Sequence, residues 1–259
     1  MQIERYFSAI RGILDDILTD EISIMEQVSD LFTETIVNGN TIFITGCSHS
    51  SIFAQEVFYR AGGFMLMNPI FLPGMSVDTS PITQTTRYEQ ISGIAEAVLS
   101  ESKIRSGDTL VVSSISGRNT VPVEMALWAK ESGIKTVALT SIAYSKNVES
   151  RHSSRKKLYE ITDYVLDVKC PIGDAVLKID GLHEKTAPSS TISGITMLHA
   201  VISETIENLI KLGISPPVFL SANLDGGDEH NRRMLEKYKD QIHYINIRGN
   251  TSPPLRCTF

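Results

Sequence analysis

The stretch SGDTLVVSSISGRNTVPVEMALWAKESGIKTVALT, from Ser106 to Thr140, decides the fold, because a strand, a hydroxyl-rich turn, a helix and a second strand follow one another. Thr109 to Val112 is a β-branched apolar run, Val121 to Lys130 has apolar residues at helical spacing, and Lys135 to Thr140 is the returning strand. Such a βαβ unit is almost always right-handed and belongs to a parallel sheet. Open α/β sheets bind ligands at the carboxyl edge of their strands. The turn at that edge is therefore the first candidate site.

This turn concentrates hydroxyl groups at the start of a helix. It reads SSISGRNT from Ser113 to Thr120. The free N–H groups of the first helical turn and the positive end of the helix dipole favour an anion such as phosphate. Alternatively, one of these hydroxyls only caps the helix. Because one cap needs one residue, the several hydroxyls and the glycine favour a ligand site.

A second strand-turn-helix piece lies earlier in the chain. Thr41 to Thr45 is a short β-branched strand, GCSHSS follows from Gly46 to Ser51, and the next helix ends at Gly62 and Gly63. Its turn and the first one would lie side by side at one sheet edge. Neither turn contains GxxxxGK[ST] or GxGxxG, so a nucleotide is not the leading ligand.

Composition and charge limit the class of protein. The 259 residues suffice for one large α/β domain, and a 42% hydrophobic content is typical of a globular protein. The formal charge of -6 argues against a general nucleic-acid binder, because a phosphate backbone requires a basic surface. Three cysteines without CxxC spacing indicate a reducing compartment, so we expect a cytoplasmic protein. The early charged residues are unlike a signal peptide, and no apolar run is long enough to span a membrane.

We expect a single domain over residues 1–248. Two amphipathic helices occupy residues 1–38, an α/β core residues 39–212 and a C-terminal extension residues 213–248. Residues 249–259 lack periodicity and are predicted to form a flexible tail. The narrow apolar stripe of the leading helices fits equally well against the chain's own sheet or against a second subunit.

The segments between and after the two turns suggest further parts of a site. Asn68 to Pro73 reads as a short strand, Met75 to Glu89 as a polar lid without periodicity, and Ile91 to Leu99 as a helix. The basic run from Ser150 to Lys157 is either a solvated face or a phosphate contact, in which case Arg151 or His152 is favoured.

The C-terminal half is predicted to contain a strand at Asp163 to Val168 and a long helix at Thr191 to Leu212. The last segment, from PPVF to YINI, is predicted to form a strand, a Gly-Gly turn, a helix and a final strand. Asp228 and His230 follow that turn, but no HxxxH or CxxC spacing supports a metal site, and we predict none.

The two turns together resemble those of the sugar isomerase (SIS) phosphosugar-binding family. TIFITGCSHSSIFAQEVFYRAGG is similar to its first strand and loop, and the stretch from Gly107 to Ser141 is similar to its serine-rich second loop. The resemblance runs from Ile36 to Ile210 and is greatest to SIS proteins named after phosphoheptose isomerases, with FYRAGG, SGRN, SRH and DGGDEHN as further marks. It implies a three-layer αβα sandwich with a five-stranded parallel sheet, flavodoxin-like, a helical N-terminus and a homodimer.

The resemblance also implies site residues. The family's phosphate-binding serines fall on Ser50, Ser114 and Ser116, and Asn119 stands where the family usually has threonine. The complete set of predicted substrate-binding residues is Ser48, His49, Ser50, Ser114, Ser116, Asn119, Thr120, Arg60 and His230.

Three residues are candidate catalytic groups. Arg60 stands where phosphoheptose isomerases carry a glutamate, and Glu56, one helical turn earlier, either replaces that acid or simply pairs with Arg60. His199 matches the family's catalytic histidine, although a histidine in an apolar helix is often a core residue. Glu89 lies near the position of a second acid in the related etherases, but it also precedes a predicted helix, where acids are common.

These residues allow three functions. The first is an aldose–ketose isomerase that moves a sugar carbonyl through an enediol, with Glu56 and His199 as the acid–base pair. The second is a phosphosugar-binding sensor that has lost catalysis, which Arg60 favours. The third is an etherase or lyase acting on an amino-sugar phosphate. Each implies a small sugar phosphate as ligand and no cofactor, nucleic acid or membrane as partner.

Overall fold

The computed structural model describes residues 1–245, which contain a five-stranded, all-parallel sheet. The strands of this sheet are β1 (Ile42–Gly46), β2 (Met67–Ile70), β3 (Thr109–Ser113), β4 (Lys135–Thr140) and β5 (Tyr164–Asp167). The helices are α1 (Gln2–Asp20), α2 (Ile22–Val37), α3 (Ser51–Val57), α4 (Thr83–Tyr88), α5 (Ile94–Leu99), α6 (Thr120–Glu131), α7 (Ile142–Lys146), α8 (Ser190–Lys211) and α9 (Gly227–Lys237). A separate antiparallel hairpin pairs β6 (Ala175–Lys178) with β7 (Lys185–Pro188).

The sheet lies between two helical layers because its central strands are apolar on both faces. Ile42 and Ile44 of β1 pack with α1, α2, α3 and α8 on one side. Phe43, between them, packs with α5 and α6 on the other side. Successive strand residues point to opposite faces, so the continuous apolar run seen in the sequence contributes side chains to the packing against both helical layers. The predicted three-layer αβα sandwich is confirmed.

The strand order β2-β1-β3-β4-β5 places the two hydroxyl-rich turns together. From β1 the chain crosses to β2 on one side, and from β3 it crosses to β4 on the other side. The carboxyl ends of β1 and β3 therefore form the switch point where open α/β sheets leave a crevice. The turns after these two strands flank that crevice.

Several local predictions need correction. The helix expected from Ile91 begins at Ile94, because Gly93 has a φ of 88° and interrupts the backbone. The segment predicted as a polar lid contains a short helix, α4. Met75, the first residue of that segment, is buried in the core. The PPVF segment makes only an isolated bridge between Val218 and Phe64, since its two prolines lack N–H donors. The β6–β7 hairpin was not anticipated.

The end of the chain is only partly described. Residues 242–245 are not in a strand, and the remainder of the predicted final strand, the predicted tail and Cys257 lie outside the described residues. Across residues 1–245, no helix combines the length and apolar character needed to cross a membrane. The boundaries of the single domain stay a prediction.

A glycine at the end of β1 is required by the packing around it. A Cβ at Gly46 would lie 2.4 Å from both the Ser50 carbonyl oxygen and Ser113 Oγ. We expect Gly46→Ala to lower the free energy of unfolding by about 1–3 kcal/mol, because a side chain there forces the backbone apart. Urea denaturation measures this change.

Gly12→Ala is the matched control, since a Cβ at Gly12 on α1 meets no atom within 4 Å. In that helix alanine should raise the free energy of unfolding by about 0.5–1 kcal/mol. Equal stability of Gly46→Ala and the unmodified protein would contradict the packing described here.

Candidate functional site

The loops after β1 and β3 are joined by one buried hydroxyl. Ser113 Oγ donates to the Thr45 carbonyl oxygen at 2.6 Å and lies 3.0 Å from the Ser50 carbonyl oxygen. Ser113 is the last residue of β3, and Ser50 lies in the turn between β1 and α3. The two predicted phosphate loops are therefore in contact at the switch point of the sheet.

Three predicted phosphate-binding serines have free hydroxyl groups. Within residues 1–245, the hydroxyls of Ser50, Ser114 and Ser116 make no hydrogen bond, whereas Ser113 uses its hydroxyl to join the loops. Ser114 is buried, and Ser50 and Ser116 are partly exposed. These three hydroxyls can serve a ligand without breaking an internal contact.

The helix that follows the second loop has fewer free N–H groups than the sequence suggested. The Val121 N–H donates to the Glu89 carbonyl oxygen at 3.0 Å, and the Val123 N–H to the Asn119 carbonyl oxygen at 3.4 Å. Pro122, between them, has no N–H. Among these first-turn positions within the described chain, Thr120 keeps the free backbone donor. An anion here would depend more on side-chain hydroxyls than on the helix terminus.

Residues 75–93, here called the strap, lie across both loops. On the first loop, the Ser48 N–H donates to the Met75 carbonyl oxygen at 2.6 Å, and Thr85 Oγ1 donates to Ser48 Oγ at 3.0 Å. On the second loop, the Val121 N–H is held by Glu89, as described above. The end of the strap is fixed to α6, where the Gly93 N–H donates to Glu124 Oε2 at 2.9 Å. The segment predicted as a lid is thus attached to both loops.

The strap brings Glu89 beside the start of α6, where its carbonyl oxygen accepts from the Val121 N–H at 3.0 Å. Burial raises the pKa of the Glu89 carboxyl, while hydrogen bonding from Asn119 and the charge of Arg151 act in the opposite direction. The Cys47 thiol at the end of β1 is also near, since burial and then the charge of Glu89 raise its pKa. Glu89 is therefore a partly buried acid beside the start of α6, which follows the second loop.

The basic run contributes one arginine to this group. Arg151 Nη1 donates to Asn119 Oδ1 at 2.8 Å. Its neighbour His152 is largely buried and lies 3.9 Å from Glu124 Oε1. Asn119, whose role as a phosphate ligand stays a prediction, accepts the hydrogen bond from Arg151 and is 7% exposed. Its side-chain oxygen is therefore committed to Arg151.

Glu56, Arg60 and His199 form a separate group between α3 and α8. Glu56 Oε1 lies 3.5 Å from His199 Nε2 and forms an ion pair with Arg60. Burial and the charge of Arg60 lower the pKa of His199. Since α3 starts at the first loop and runs away from it, Arg60, beyond its end, is remote from the serines. Within residues 1–245, no hydrogen bond joins Glu56 or His199 to either loop.

The remaining predicted ligands differ in their positions. His49 is exposed on the first loop, and Thr120 Oγ1 lies 3.5 Å from the Arg151 carbonyl oxygen. His230 lies 3.0 Å from the Val218 carbonyl oxygen, and Val218 pairs with Phe64, which precedes β2. This is the amino edge of the parallel sheet, so His230 does not join the serine loops of its own subunit. The described residues contain no group of three or more His, Cys, Asp or Glu suited to a metal ion.

Two residues that help build the site are not indicated by any local sequence pattern. Thr85 lies in the aperiodic strap, so nothing in the local pattern predicted its contact with Ser48. Glu124 lies in the first turns of α6, where acids are common, so its residue type does not by itself indicate a site. In the structure Glu124 holds both the end of the strap and His152.

Two solved structures share this fold. The phosphoheptose isomerase from Francisella tularensis has a TM-score of 0.54 and 16% identity, covering 80% of this chain and 97% of its own. The phosphoheptose isomerase from Neisseria gonorrhoeae has a TM-score of 0.53 and 19% identity, with the same coverage of 80% and 97%.

Two sequence relatives have a higher sequence identity to this chain than these solved structures have. A UPF0309 protein of Oceanobacillus iheyensis is 42% identical over 94% of this chain and 99% of its own length. Another, from Shouchella clausii, is 40% identical with the same coverage of both chains. Residues 5–141 match the SIS domain family. The chain therefore belongs to the SIS domain family, with the UPF0309 proteins as its relatives.

Proposed function

We propose that the protein is a sugar-phosphate isomerase of the aldose–ketose type, whose substrate phosphate is bound by Ser50, Ser114 and Ser116. The free hydroxyls of these serines support the phosphate site, because a phosphate oxygen accepts hydrogen bonds from neutral donors. The two solved structures named phosphoheptose isomerases share the fold. We assign isomerase chemistry to this chain as part of the proposal.

The position of Glu89, a partly buried acid beside the start of α6, is the observation that carries the proposal. Aldose–ketose isomerisation removes a proton from the carbon next to the carbonyl while the carbonyl oxygen gains a proton, which gives an enediol. The carbon-bound proton then goes to the former carbonyl carbon, and the hydroxyl of the neighbouring carbon loses its proton to become the new carbonyl. Partial burial raises the pKa of the Glu89 carboxyl, which makes its carboxylate a stronger base near neutral pH. Glu89 is the base in this proposal, ahead of Glu56 and His199, because its backbone is bonded to the start of α6, directly after the second loop.

In this proposal, Glu56 and His199 are not the base of their own subunit. They are within 3.5 Å of each other but are not bonded to the loops of their own subunit. Their catalytic role, and that of His230, stays a prediction for a homodimer in which one subunit completes the site of the other. A cytoplasmic location and the absence of a cofactor also stay predictions.

A binding protein without catalysis is the second candidate function. The ion pair with Arg60 favours it, because it occupies the Glu56 carboxylate that would otherwise be available as a base. Both functions require the phosphate site, and they differ only in proton transfer. The two experiments below test these steps separately.

Ser116→Ala should weaken binding of sugar phosphates by about tenfold or more, because it removes a hydrogen bond to a charged group. Calorimetry with hexose and heptose phosphates measures the affinity. Ser8→Ala is the control, since Ser8 is exposed on α1. Unchanged affinity in Ser116→Ala, or equal binding of the unphosphorylated sugars, would contradict the phosphate site.

Glu89→Gln should lower deuterium incorporation at C2 of a bound sugar phosphate in heavy water by about 100 to 10,000-fold. The loss follows from removing the base that forms the enediol, and NMR of the sugar measures it. In the unmodified protein, exchange should also fall as the pH drops through the raised pKa of Glu89, because the protonated acid cannot accept a proton.

Glu96→Gln on α5 is the matched control, since Glu96 is an exposed acid close to the strap in sequence. Binding without any exchange in the unmodified protein would favour the binding function. Exchange that survives in Glu89→Gln but is lost in Glu56→Gln or His199→Gln would move the base to that second group.

A further inference from the structure

Arg118, in the SGRN stretch of the second loop, carries a guanidinium group that pairs with no other residue among 1–245. Across that range its Nε atom is buried without a hydrogen-bond partner. The rest of the guanidinium and the Arg118 N–H also make no hydrogen bond there, and no acid forms an ion pair with Arg118. Leaving a buried donor of a charged group unpaired is costly, so such a group requires a physical explanation.

The backbone that carries Arg118 is held on both sides. The Gly117 N–H donates to the Ser114 carbonyl oxygen at 3.1 Å, and the Gly117 carbonyl oxygen accepts from the Leu158 N–H at 2.9 Å. The Arg118 carbonyl oxygen accepts from the Arg151 N–H at 2.8 Å. These bonds fix the start of the Arg118 side chain, while its guanidinium stays available to a ligand.

In the described part of the chain, the other buried side-chain atom that lacks a hydrogen-bond partner lies against the same loop. This atom is Ser145 Oγ, and a Cβ at Gly117 would lie 3.1 Å from it. Ser145 is 0% exposed, so a substrate does not reach its hydroxyl, whereas Arg118 is partly exposed. Of these two groups, Arg118 is therefore the one that a ligand from solvent can pair with.

Two other cations near the loop are engaged by carbonyl oxygens. Arg151 Nη1 donates to Asn119 Oδ1 at 2.8 Å, and Lys157 Nζ donates to the Ser145 carbonyl oxygen at 2.9 Å. The serines proposed to bind the phosphate are neutral donors, and hydrogen bonds from a charged donor to a phosphate are stronger. Of these three cations, Arg118 is the one that remains available to an anion.

We infer that Arg118 binds the phosphate group of the substrate and supplies the positive charge that the serines lack. The inference rests on the phosphate site of the proposed function, but not on proton transfer. Ser116 and Arg118 are separated by two Cα steps of about 3.8 Å each, so the long arginine side chain starts close to a phosphate bound at Ser116. The planar guanidinium can donate two parallel hydrogen bonds to phosphate oxygens. The substrate class that this residue selects is a dianionic phosphate monoester.

Arg118→Gln tests the assignment, because glutamine keeps a polar side chain and loses the charge. Calorimetry should show about tenfold to hundredfold weaker binding of inorganic phosphate and of the hexose and heptose phosphates, since hydrogen bonds to a charged group are lost. Added salt should weaken binding more in the unmodified protein than in the variant. The midpoint of urea unfolding should stay the same or rise, because the Arg118 side chain makes no hydrogen bond within the described residues.

Arg118→Lys and Arg155→Gln are the controls. Lysine keeps the charge but lacks the planar fork, so its affinity should lie between those of the unmodified protein and Arg118→Gln. Arg155 is exposed on the loop that follows α7, and Arg155→Gln removes the same charge without changing the affinity. Equal affinities in Arg118→Gln and Arg155→Gln would overturn the inference. A clear fall in the urea midpoint of Arg118→Gln would also overturn it, because the side chain would then stabilise the fold.

The same measurements separate this inference from the proposed function. Phosphate binding that depends on Arg118, without deuterium exchange in the unmodified protein, removes the isomerase function and keeps the inference. Binding and exchange that are both unaffected by Arg118→Gln keep the isomerase function and overturn the inference. Weaker binding of sugar phosphates with unchanged binding of inorganic phosphate would place Arg118 at the sugar and overturn its assignment to the phosphate. If neither inorganic phosphate nor any sugar phosphate binds, both proposals fail.

Discussion

The contact between Ser113 and the first loop is the constraint on which the site depends. One hydroxyl reaches both the end of β1 and the turn after it, and the space it needs exists only because residue 46 is glycine. The parallel order of the sheet brings the two loops to the same edge. This hydroxyl then fixes the distance between them, so the serines on either loop can face a single ligand.

Much of the fold could be predicted because its signals are local. The apolar run of β3, the helical spacing after it and the return of β4 are each visible within a few residues, and the structure contains all three. Predictions failed where glycine or proline interrupted the apolar pattern. The prolines of the PPVF segment limit it to one bridge, and Gly93 delays the start of α5. In both cases backbone chemistry decided against the apolar pattern.

The site was harder to predict than the fold because its parts come from distant segments. Spacing could suggest Ser50 and Ser116, since each lies in a recognisable turn. The relation between Glu89, Asn119 and Arg151 depends on how the strap and the basic loop pack against α6, and no local pattern encodes it. Asn119 shows the consequence. Its residue type suited a phosphate ligand, but its neighbours already engage its side chain.

The charge balance around Glu89 follows from the same packing. A bound phosphate would add negative charge near a buried carboxyl, and like charges favour the protonated acid. In the proposed site, an ionised Glu89 carboxylate requires a cation near it, which a chain with a formal charge of -6 must supply locally. Arg151 meets this requirement because backbone hydrogen bonds hold its segment against the second loop. The Glu89 carboxyl and the segment that carries Arg151 are thus linked by charge.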